Sequence, residues 1–325
     1  MKLIQKGENL PMAKLSTKQS SRTHRVMLFG PPKSGKTQLA GELAEHFNLI
    51  WIDMENGHET LFKLPQEWQE RIELIELKDS PSYPIAIETV LKMIKQVPIE
   101  ICEKHGKVGC AICKRQEKDL SNPELPEEFE DIHNSLFISV DLGNVPDDTI
   151  VVFDSATQLT TSAINNICKN EPDDYKMKTD DLGNLAKLME IFLATIQQAS
   201  YNCIVISHEV EAETEGKKRT LVPVAGSRNS SRNAAKAFDD VVYCERKNKK
   251  HVFSSSTQYA TNILTGSRTD VSMESLDKPS LLAIFKPELY PASVKTTGIT
   301  KPNTDISKAT SILQNLKKKQ VLEKP

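Results

Sequence analysis

The chain has 325 residues, which is enough for one large α/β domain with insertions or for two modest ones. Its 42 basic and 44 acidic residues nearly cancel, so the overall charge gives no sign of a polyanionic partner, and any nucleic-acid surface has to be a local patch. Hydrophobic residues make up 38% and charged residues 26%, and no apolar run approaches the roughly 20 residues of a membrane span, which predicts a cytosolic globular protein.

The first 24 residues are polar and basic, and they lack both periodicity and an apolar stretch long enough for a signal peptide. They are predicted to form a flexible basic arm. From Arg25 onward, apolar runs and helical patterns alternate, which predicts βαβ units and a mostly parallel, doubly wound sheet. The predicted strands are 25–29, 49–53, 149–154 and 203–208, and the predicted helices are 37–47, 83–96 and 181–199.

The predicted core runs over residues 25–291, and residues 98–147 read as an insertion within it. A loop is predicted at 210–229. Three shorter strand-like runs follow, DDVVYCE, HVFSSSTQ and ATNILTG, which suit antiparallel additions to one edge of the sheet. Residues 292–325 begin as a Pro/Thr/Lys linker and end in a short predicted helix whose apolar face carries Ile306, Ala309, Leu313 and Leu316.

The stretch GPPKSGKT, residues 30–37, lies between the first predicted strand and the first predicted helix, and it fits G-x-x-x-x-G-K-[ST] at every position. Glycines let backbone N–H groups turn toward phosphates, and the start of a helix adds positive charge. Lys36 is expected to reach the β and γ phosphates, and Thr37 to ligate Mg²⁺. The alternative is a glycine turn that only links a strand to a helix. The predicted nucleotide-binding residues are Gly30, Pro31, Pro32, Lys33, Ser34, Gly35, Lys36 and Thr37.

Three further predicted strands end in polar residues. The predicted strand in TIVVFDSAT ends at Asp154. We expect Asp154 to join Thr37 around Mg²⁺, and the alternative is that it is a simple turn residue. LIWIDMENG places Asp53 and Glu55 on one side of an extended chain, and Glu55 is a candidate to orient and deprotonate the attacking water, unless it belongs to a surface acidic turn. NCIVISHEVE ends beside His208, which is either a reporter of the γ-phosphate or a structural histidine. The candidate catalytic residues are therefore Lys36, Glu55, Asp154 and His208.

These strand ends, in this order, resemble the RecA-type ATPases, and among them the phage nucleotide-binding group that includes RecA-like single-strand annealing ATPases. The matching stretches are GPPKSGKT, DMENG, VVFDSAT, DDY at 173–175, ISHE and AFDDVVY, within about residues 25 to 270. The resemblance implies a RecA-like P-loop core that binds and hydrolyses ATP and couples this reaction to the binding of single-stranded DNA. It also implies a homo-oligomer with ATP at subunit interfaces, acting in recombination, repair or replication. A single-strand binding or replication protein is a possible further partner, and a phage-encoded chain would act in the bacterial host cytoplasm.

Basic residues in the stretch EGKKRTLVPVAGSRNSSR, which follows His208, are candidates for DNA contact, because the corresponding loop touches DNA in RecA-type proteins. A solvated basic loop is the alternative. These residues are Lys217, Lys218, Arg219, Arg228 and Arg232. A residue that reaches a neighbour's γ-phosphate is expected among Arg246, Lys247, Lys249, Lys250 and Arg268, with Arg268 preferred because it ends a strand as in relatives. Another function left open is a nucleotide-switched loader or assembly factor that binds a protein partner, and a nucleotide kinase is less favoured.

The six cysteines do not resemble a secreted disulfide framework, because three of them lie within twelve residues. CEKHGKVGCAIC has the spacing Cys102-x2-His105-x4-Cys110-x2-Cys113, which can close four N/S ligands around one ion. Four protein ligands predict a structural zinc, whereas the alternative is a chance cluster of reduced thiols. The other three cysteines lie in apolar contexts and are predicted to be buried small hydrophobes: Cys168, Cys203 and Cys244.

Overall fold

A computed structural model describes residues 23–120, 137–172, 174–213, 219–256 and 262–290, with backbone alone at 116–120. The described residues all belong to one compact unit that ends at Tyr290. The predicted arm up to residue 22, the predicted linker and the predicted C-terminal helix lie outside them. Among the described residues, no helix is long and apolar enough to cross a membrane.

The strands of the described residues fall into one large and two small sheets. Their bounds are β1 (Arg25–Phe29), β2 (Asn48–Asp53), β3 (Ile72–Glu76), β4 (Ile99–Cys102), β5 (Phe137–Val140), β6 (Thr149–Asp154), β7 (Asn202–Ser207), β8 (Glu209–Glu213), β9 (Arg219–Pro223), β10 (Asp240–Lys247), β11 (Lys250–Ser254) and β12 (Gly266–Ser267). The large sheet has the order β11-β10-β1-β7-β6-β2-β3, with β12 also paired to β10. The small sheets are β4-β5 and β8-β9.

Helices connect and cover these strands. Their bounds are α1 (Lys36–Gly41), α2 (Gln66–Gln69), α3 (Ala86–Met93), α4 (Ala111–Leu120), α5 (Ala156–Cys168), α6 (Thr179–Gln197), α7 (Arg228–Ala234) and α8 (Leu282–Phe285). Helix α1 is shorter than the predicted helix 37–47, because a 3₁₀ turn over Glu42–Glu45 replaces its second half. The long helix α6 and strand β6 lie where the sequence predicts them.

The sheet is mostly parallel, and this α/β layout matches the RecA-like core that the sequence predicts, with antiparallel strands at one edge. Strands β2, β3, β6, β7, β1 and β10 are paired in parallel, whereas β11 and β12 run antiparallel to β10. All six residues of β6 are buried, because both faces of the sheet are covered. Phe153, for example, packs edge to face on Phe192 of α6, with ring centroids 5.7 Å apart.

Two predictions for the second half of the core are wrong. DDVVYCE forms β10, which is parallel to β1, with Phe29 opposite Tyr243, because α7 carries the chain across the sheet before β10 begins. Residues 210–213 and 219–229 do not form the predicted loop. They contain most of the antiparallel β8–β9 hairpin and the start of α7, whose polar sequence RNSSRNA gives little helical signal.

Candidate nucleotide-binding site

The phosphate loop joins β1 to α1 at the carboxyl end of the parallel sheet. Its glycines are required by the neighbouring hairpin of β10 and β11. Gly30 has φ +148°, and a Cβ atom there would lie 1.9 Å from the carbonyl oxygen of Cys244. Gly35 has φ +92°, and its Cβ would lie 2.8 Å from His251 Nδ1. A side chain at either position would therefore displace the loop from the strands that support it.

Lys36 is folded back onto the phosphate loop. Its Nζ atom donates to the carbonyl oxygens of Gly30, at 2.9 Å, and Pro31, at 2.8 Å. Burial lowers the pKa of Lys36, while nearby acidic groups, Asp154 and Glu55 among them, oppose that shift. An ammonium group held by neutral carbonyls retains its capacity to bind an anion, so the side chain suits the phosphate contact predicted for it.

Thr37 and Asp154 meet at the end of β6, as the sequence predicts. Thr37 Oγ1 donates to Asp154 Oδ2 at 3.3 Å. Burial, reinforced by the neighbouring carboxylates of Glu55 and Asp53, raises the pKa of Asp154 to about 7. A hydroxyl and a carboxylate form the hard oxygen set that Mg²⁺ prefers, and a cation would favour the ionised form of this buried acid. The residues present therefore fit a magnesium ion held by Thr37 and Asp154.

Glu55 lies between the Asp154 strand end and His208. Ser155 Oγ, directly after β6, donates a hydrogen bond to Glu55 Oε1. Glu55 Oε2 lies 3.7 Å from His208 Nε2. Burial lowers the pKa of His208, and Lys36 lowers it further, against the opposing influence of Glu55. The predicted strand ends that precede Glu55 and His208 thus converge, and the half-buried carboxylate of Glu55 faces the half-buried imidazole of His208.

The chain bends directly after Asp53, so Asp53 and Glu55 do not lie on one extended segment, and that part of the prediction is wrong. Strand β2 ends at Asp53, whose buried carboxylate accepts the backbone N–H groups of Glu55 at 2.9 Å, Gly57 at 3.2 Å and His58 at 3.2 Å. It also lies 2.5 Å from His58 Nδ1. Asp53 therefore organises the turn that directs Glu55 into the site.

Other residues at the site have no role predicted from the sequence. His251 of β11 donates from Nδ1 to the carbonyl oxygen of Ser34, at 2.9 Å, and so ties the edge hairpin to the phosphate loop. Thr157 Oγ1 accepts the backbone N–H of His208 at 2.8 Å. The carboxylate of Glu209 partly offsets the lowering of the Lys36 pKa by burial. Burial raises the pKa of Tyr243, and a hydrogen bond to Glu209 raises it as well. Glu209 belongs to the ISHE stretch noted in the sequence, whereas no local sequence pattern indicates a role for His251.

The candidates for contact with a neighbouring subunit lie at two ends of β10. The tip of the β10–β11 hairpin extends past the end of β1 and carries four exposed basic residues: Arg246, Lys247, Lys249 and Lys250. Arg268 lies near the start of β10, at the opposite end from the phosphate loop. There its Nη1 is 3.2 Å from Asp239 Oδ1, and Asp239 also pairs with Arg25 at 3.1 Å. Arg268 therefore does not approach the phosphate loop of its own chain.

The candidate DNA-contacting residues are spread over β9 and α7. Arg219 is exposed on β9, where its Nη1 lies 3.7 Å from Glu211 Oε2 of β8. Arg228 is exposed at the start of α7, and Arg232 is half-buried in the same helix. Lys217 and Lys218 lie outside the described residues.

The four predicted zinc ligands come together in the insertion. The nearest ligand atoms of Cys102, His105, Cys110 and Cys113 all lie within 4.8 Å of one another. This Cys/His cluster can hold a zinc ion. Cys203 and Cys244 are fully buried, whereas Cys168 is half-buried at the end of α5.

Comparison with known proteins adds one family match. The model of the family AAA_24, described as an AAA domain, matches residues 141–269, a range that includes Asp154 and His208 but not the phosphate loop. No curated protein matches the chain. The crystal structure of the RadB recombinase matches at 15% identity over 71% of this chain and 79% of that chain, with a TM-score of 0.34. The family match agrees with the P-loop ATPase core that the site geometry indicates.

Proposed function

We propose that this protein binds ATP with Mg²⁺ and hydrolyses it. The observation that carries the proposal is the convergence of Glu55 and His208, whose Oε2 and Nε2 atoms lie 3.7 Å apart, beside the buried Lys36 and Asp154. A site that only binds nucleotide has no need of a half-buried carboxylate directed by Ser155 toward the phosphate side of the sheet.

Each side chain then has one task. The phosphate loop and Lys36 bind the phosphates, and Thr37 and Asp154 would hold Mg²⁺, which supplies charge neutralisation on the phosphates. Glu55 orients a water and accepts its proton as the water oxygen bonds to the γ-phosphorus and the bond to the β,γ-bridging oxygen breaks. His208, as a neutral imidazole, would contact the γ-phosphate and respond to its loss.

We propose single-stranded DNA as the effector, in recombination, repair or replication of the phage type, with a homo-oligomer as the working form. The support is a pair of hydrogen bonds that connects Ser207 and His208 to the segment between Arg219 and Arg228. The carbonyl oxygen of His208 accepts the N–H of Val224, just after β9, at 2.9 Å, and Ser207 Oγ donates to the Val224 carbonyl at 2.8 Å. A shift at His208 would therefore move the hairpin that carries Arg219 and leads to Arg228.

One observation favours a second candidate function, a nucleotide-switched loader or assembly factor that binds a protein partner. Strand β8 is acidic, with Glu209, Glu211 and Glu213 in alternate positions, and Glu211 pairs with Arg219 across the hairpin. An arginine that is already paired is less available to a phosphate backbone, and a surface with both charges suits a protein better than DNA.

Phosphate release from ATP, measured with and without single-stranded DNA, tests the proposal and separates the two candidates. DNA-stimulated turnover that disappears in Glu55→Gln supports a DNA-dependent ATPase. Tight ATP binding without turnover, unchanged by DNA, contradicts it and supports the protein-partner switch.

A further inference from the structure

We propose that Cys102, His105, Cys110 and Cys113 bind one Zn²⁺ in a closed, structural site. His105 Nδ1 lies 3.7 Å from Cys102 Sγ, 3.6 Å from Cys110 Sγ and 3.4 Å from Cys113 Sγ. Tetrahedral zinc, with Zn–S near 2.3 Å and Zn–N near 2.0 Å, requires nitrogen-to-sulfur distances of about 3.6 Å. The imidazole nitrogen thus already stands at one corner of a tetrahedron of the right size.

The chemistry of the ligands selects the metal. Three sulfur atoms and one imidazole nitrogen form a soft set that suits Zn²⁺ and excludes Mg²⁺ and Ca²⁺, which prefer oxygen. Cys102, Cys110 and Cys113 are at most 1% exposed, and none of them forms a disulfide. Four protein ligands leave no open position, so the ion has a structural and not a catalytic role.

Local hydrogen bonds bring the four ligands together. The N–H of Gly106 donates to the carbonyl of Cys102 at 2.8 Å, and the N–H of Cys102 donates to the carbonyl of Lys107 at 3.1 Å, which closes a tight turn that carries His105. Cys110 directly precedes α4, and Cys113 lies in its first turn. Their spacing of three residues therefore puts both sulfur atoms on one side.

Among the described residues, the three cysteines form a small cluster separate from the main core, with Phe137 packed against it. The turn nevertheless sits directly on the ATPase core. Thr89 Oγ1 of α3 donates to the carbonyl of Gly106 at 3.0 Å, and a Cβ on Gly106 would lie 2.6 Å from the carbonyl oxygen of Glu76. The ion therefore holds the insertion in the shape that fits the end of β3.

Elemental analysis of full-length protein purified without chelator tests the site, with one equivalent of zinc per chain as the expected result. Cys110→Ser and His105→Ala should lose the zinc. His105→Cys should keep it, because four sulfur ligands still close the site. Cys168→Ser is the matched control, since Cys168 lies outside the cluster, and it should also keep one equivalent.

Two measurements on wild-type protein keep the test valid if the variants fail to fold. Co²⁺ exchanged into the protein should give the intense visible absorption of tetrahedral sulfur coordination. A chelator should speed hydrogen exchange over residues 99–115 while β6 and β7 stay protected. Wild-type protein that contains no zinc and takes up none, or that gives the weak spectrum of six-coordinate Co²⁺, would overturn the proposal.

Discussion

Lys36 and Glu55 have separable tasks in the proposed reaction, because one contacts phosphate in the ground state and the other acts on water. We predict that Lys36→Ala abolishes ATP binding. Glu55→Gln should leave binding intact and lower the hydrolysis rate by about 10²–10⁴-fold, the usual contribution of a general base. Calorimetric titration with a non-hydrolysable analogue measures binding, and phosphate release measures turnover.

Glu59→Gln is the matched control for that pair of variants. Glu59 is an exposed glutamate in the 3₁₀ turn that follows Glu55, and its substitution removes the same charge without touching the His208 contact. It should turn over ATP at the wild-type rate. Wild-type turnover in Glu55→Gln would show that Glu55 is not the base.

His208 should be neutral at pH 7, because burial and the nearby Lys36 lower its pKa below the usual 6.5. A base whose pKa is lower in the folded state binds fewer protons there, so its contribution to the free energy of unfolding is present above pH 6.5 and is lost as the pH falls below it. We predict that wild-type protein without nucleotide loses more stability between pH 7.5 and pH 5.5 than His208→Gln does. Thermal unfolding at the two pH values measures this difference. An imidazole NMR titration midpoint above 6.5 for His208 would contradict it.

Sequence reasoning succeeded for residues whose position follows from strand order alone. Asp154, Glu55 and His208 each end or follow a buried strand, and parallel strands bring their carboxyl ends to one edge of the sheet. It failed for the segment from Asp53 to Glu55, because the prediction assumes an extended chain there, whereas the carboxylate of Asp53 bonds to the following N–H groups and ends the strand. Such a competition between side chain and backbone cannot be read from alternation.

At the scale of elements, the β10–β11 hairpin supports the phosphate loop through His251. We predict that His251→Ala lowers the free energy of unfolding by about 1 kcal/mol, the typical value of one hydrogen bond, because the Ser34 carbonyl loses its donor. The loosened loop should also bind an ATP analogue several-fold more weakly. Chemical denaturation and calorimetric titration measure the two effects.

His46→Ala is the control for the hairpin prediction. His46 lies at the end of the 3₁₀ turn after α1, and its Nε2 atom is 3.7 Å from Oε2 of the adjacent Glu45. It should bind the ATP analogue as wild type does. Equal nucleotide affinity in His251→Ala and wild type would mean that the phosphate loop holds its shape without the hairpin.

Elements with long or strongly apolar patterns could be predicted, and elements set by tertiary contacts could not. The bounds of β6 match the prediction, because TIVVFD is a continuous apolar run between turn residues. The β8–β9 hairpin was missed because EVEAE has few residues of high β propensity, and pairing with β9 rather than local preference makes it a strand. The direction of β10 depends likewise on α7, which no periodicity announces.

At the scale of the whole molecule, the proposed function requires that the nucleotide site and the DNA-contacting surface influence each other. The backbone bonds from His208 to Val224 give a direct route, because a γ-phosphate that contacts His208 would bias the position of the hairpin. Linkage requires that the effect be reciprocal: if ATP tightens DNA binding, DNA tightens ATP binding by the same factor, typically about 1–3 kcal/mol in allosteric proteins.

We therefore predict higher affinity for single-stranded DNA with a non-hydrolysable ATP analogue than with ADP, measured by fluorescence anisotropy of a labelled oligonucleotide. Contacts through phosphates should weaken steeply as salt rises and show little sequence preference.

Lys218→Ala/Arg219→Ala and Arg228→Ala should lower DNA affinity without changing nucleotide affinity in the absence of DNA. Arg71→Ala, which removes an arginine that bonds the Glu45 carbonyl, serves as the charge-matched control for the single variant and should bind DNA normally. Equal DNA affinity in the two nucleotide states would remove the coupling, and no binding even at low salt would leave the protein-partner switch as the better account of a nucleotide-responsive hairpin.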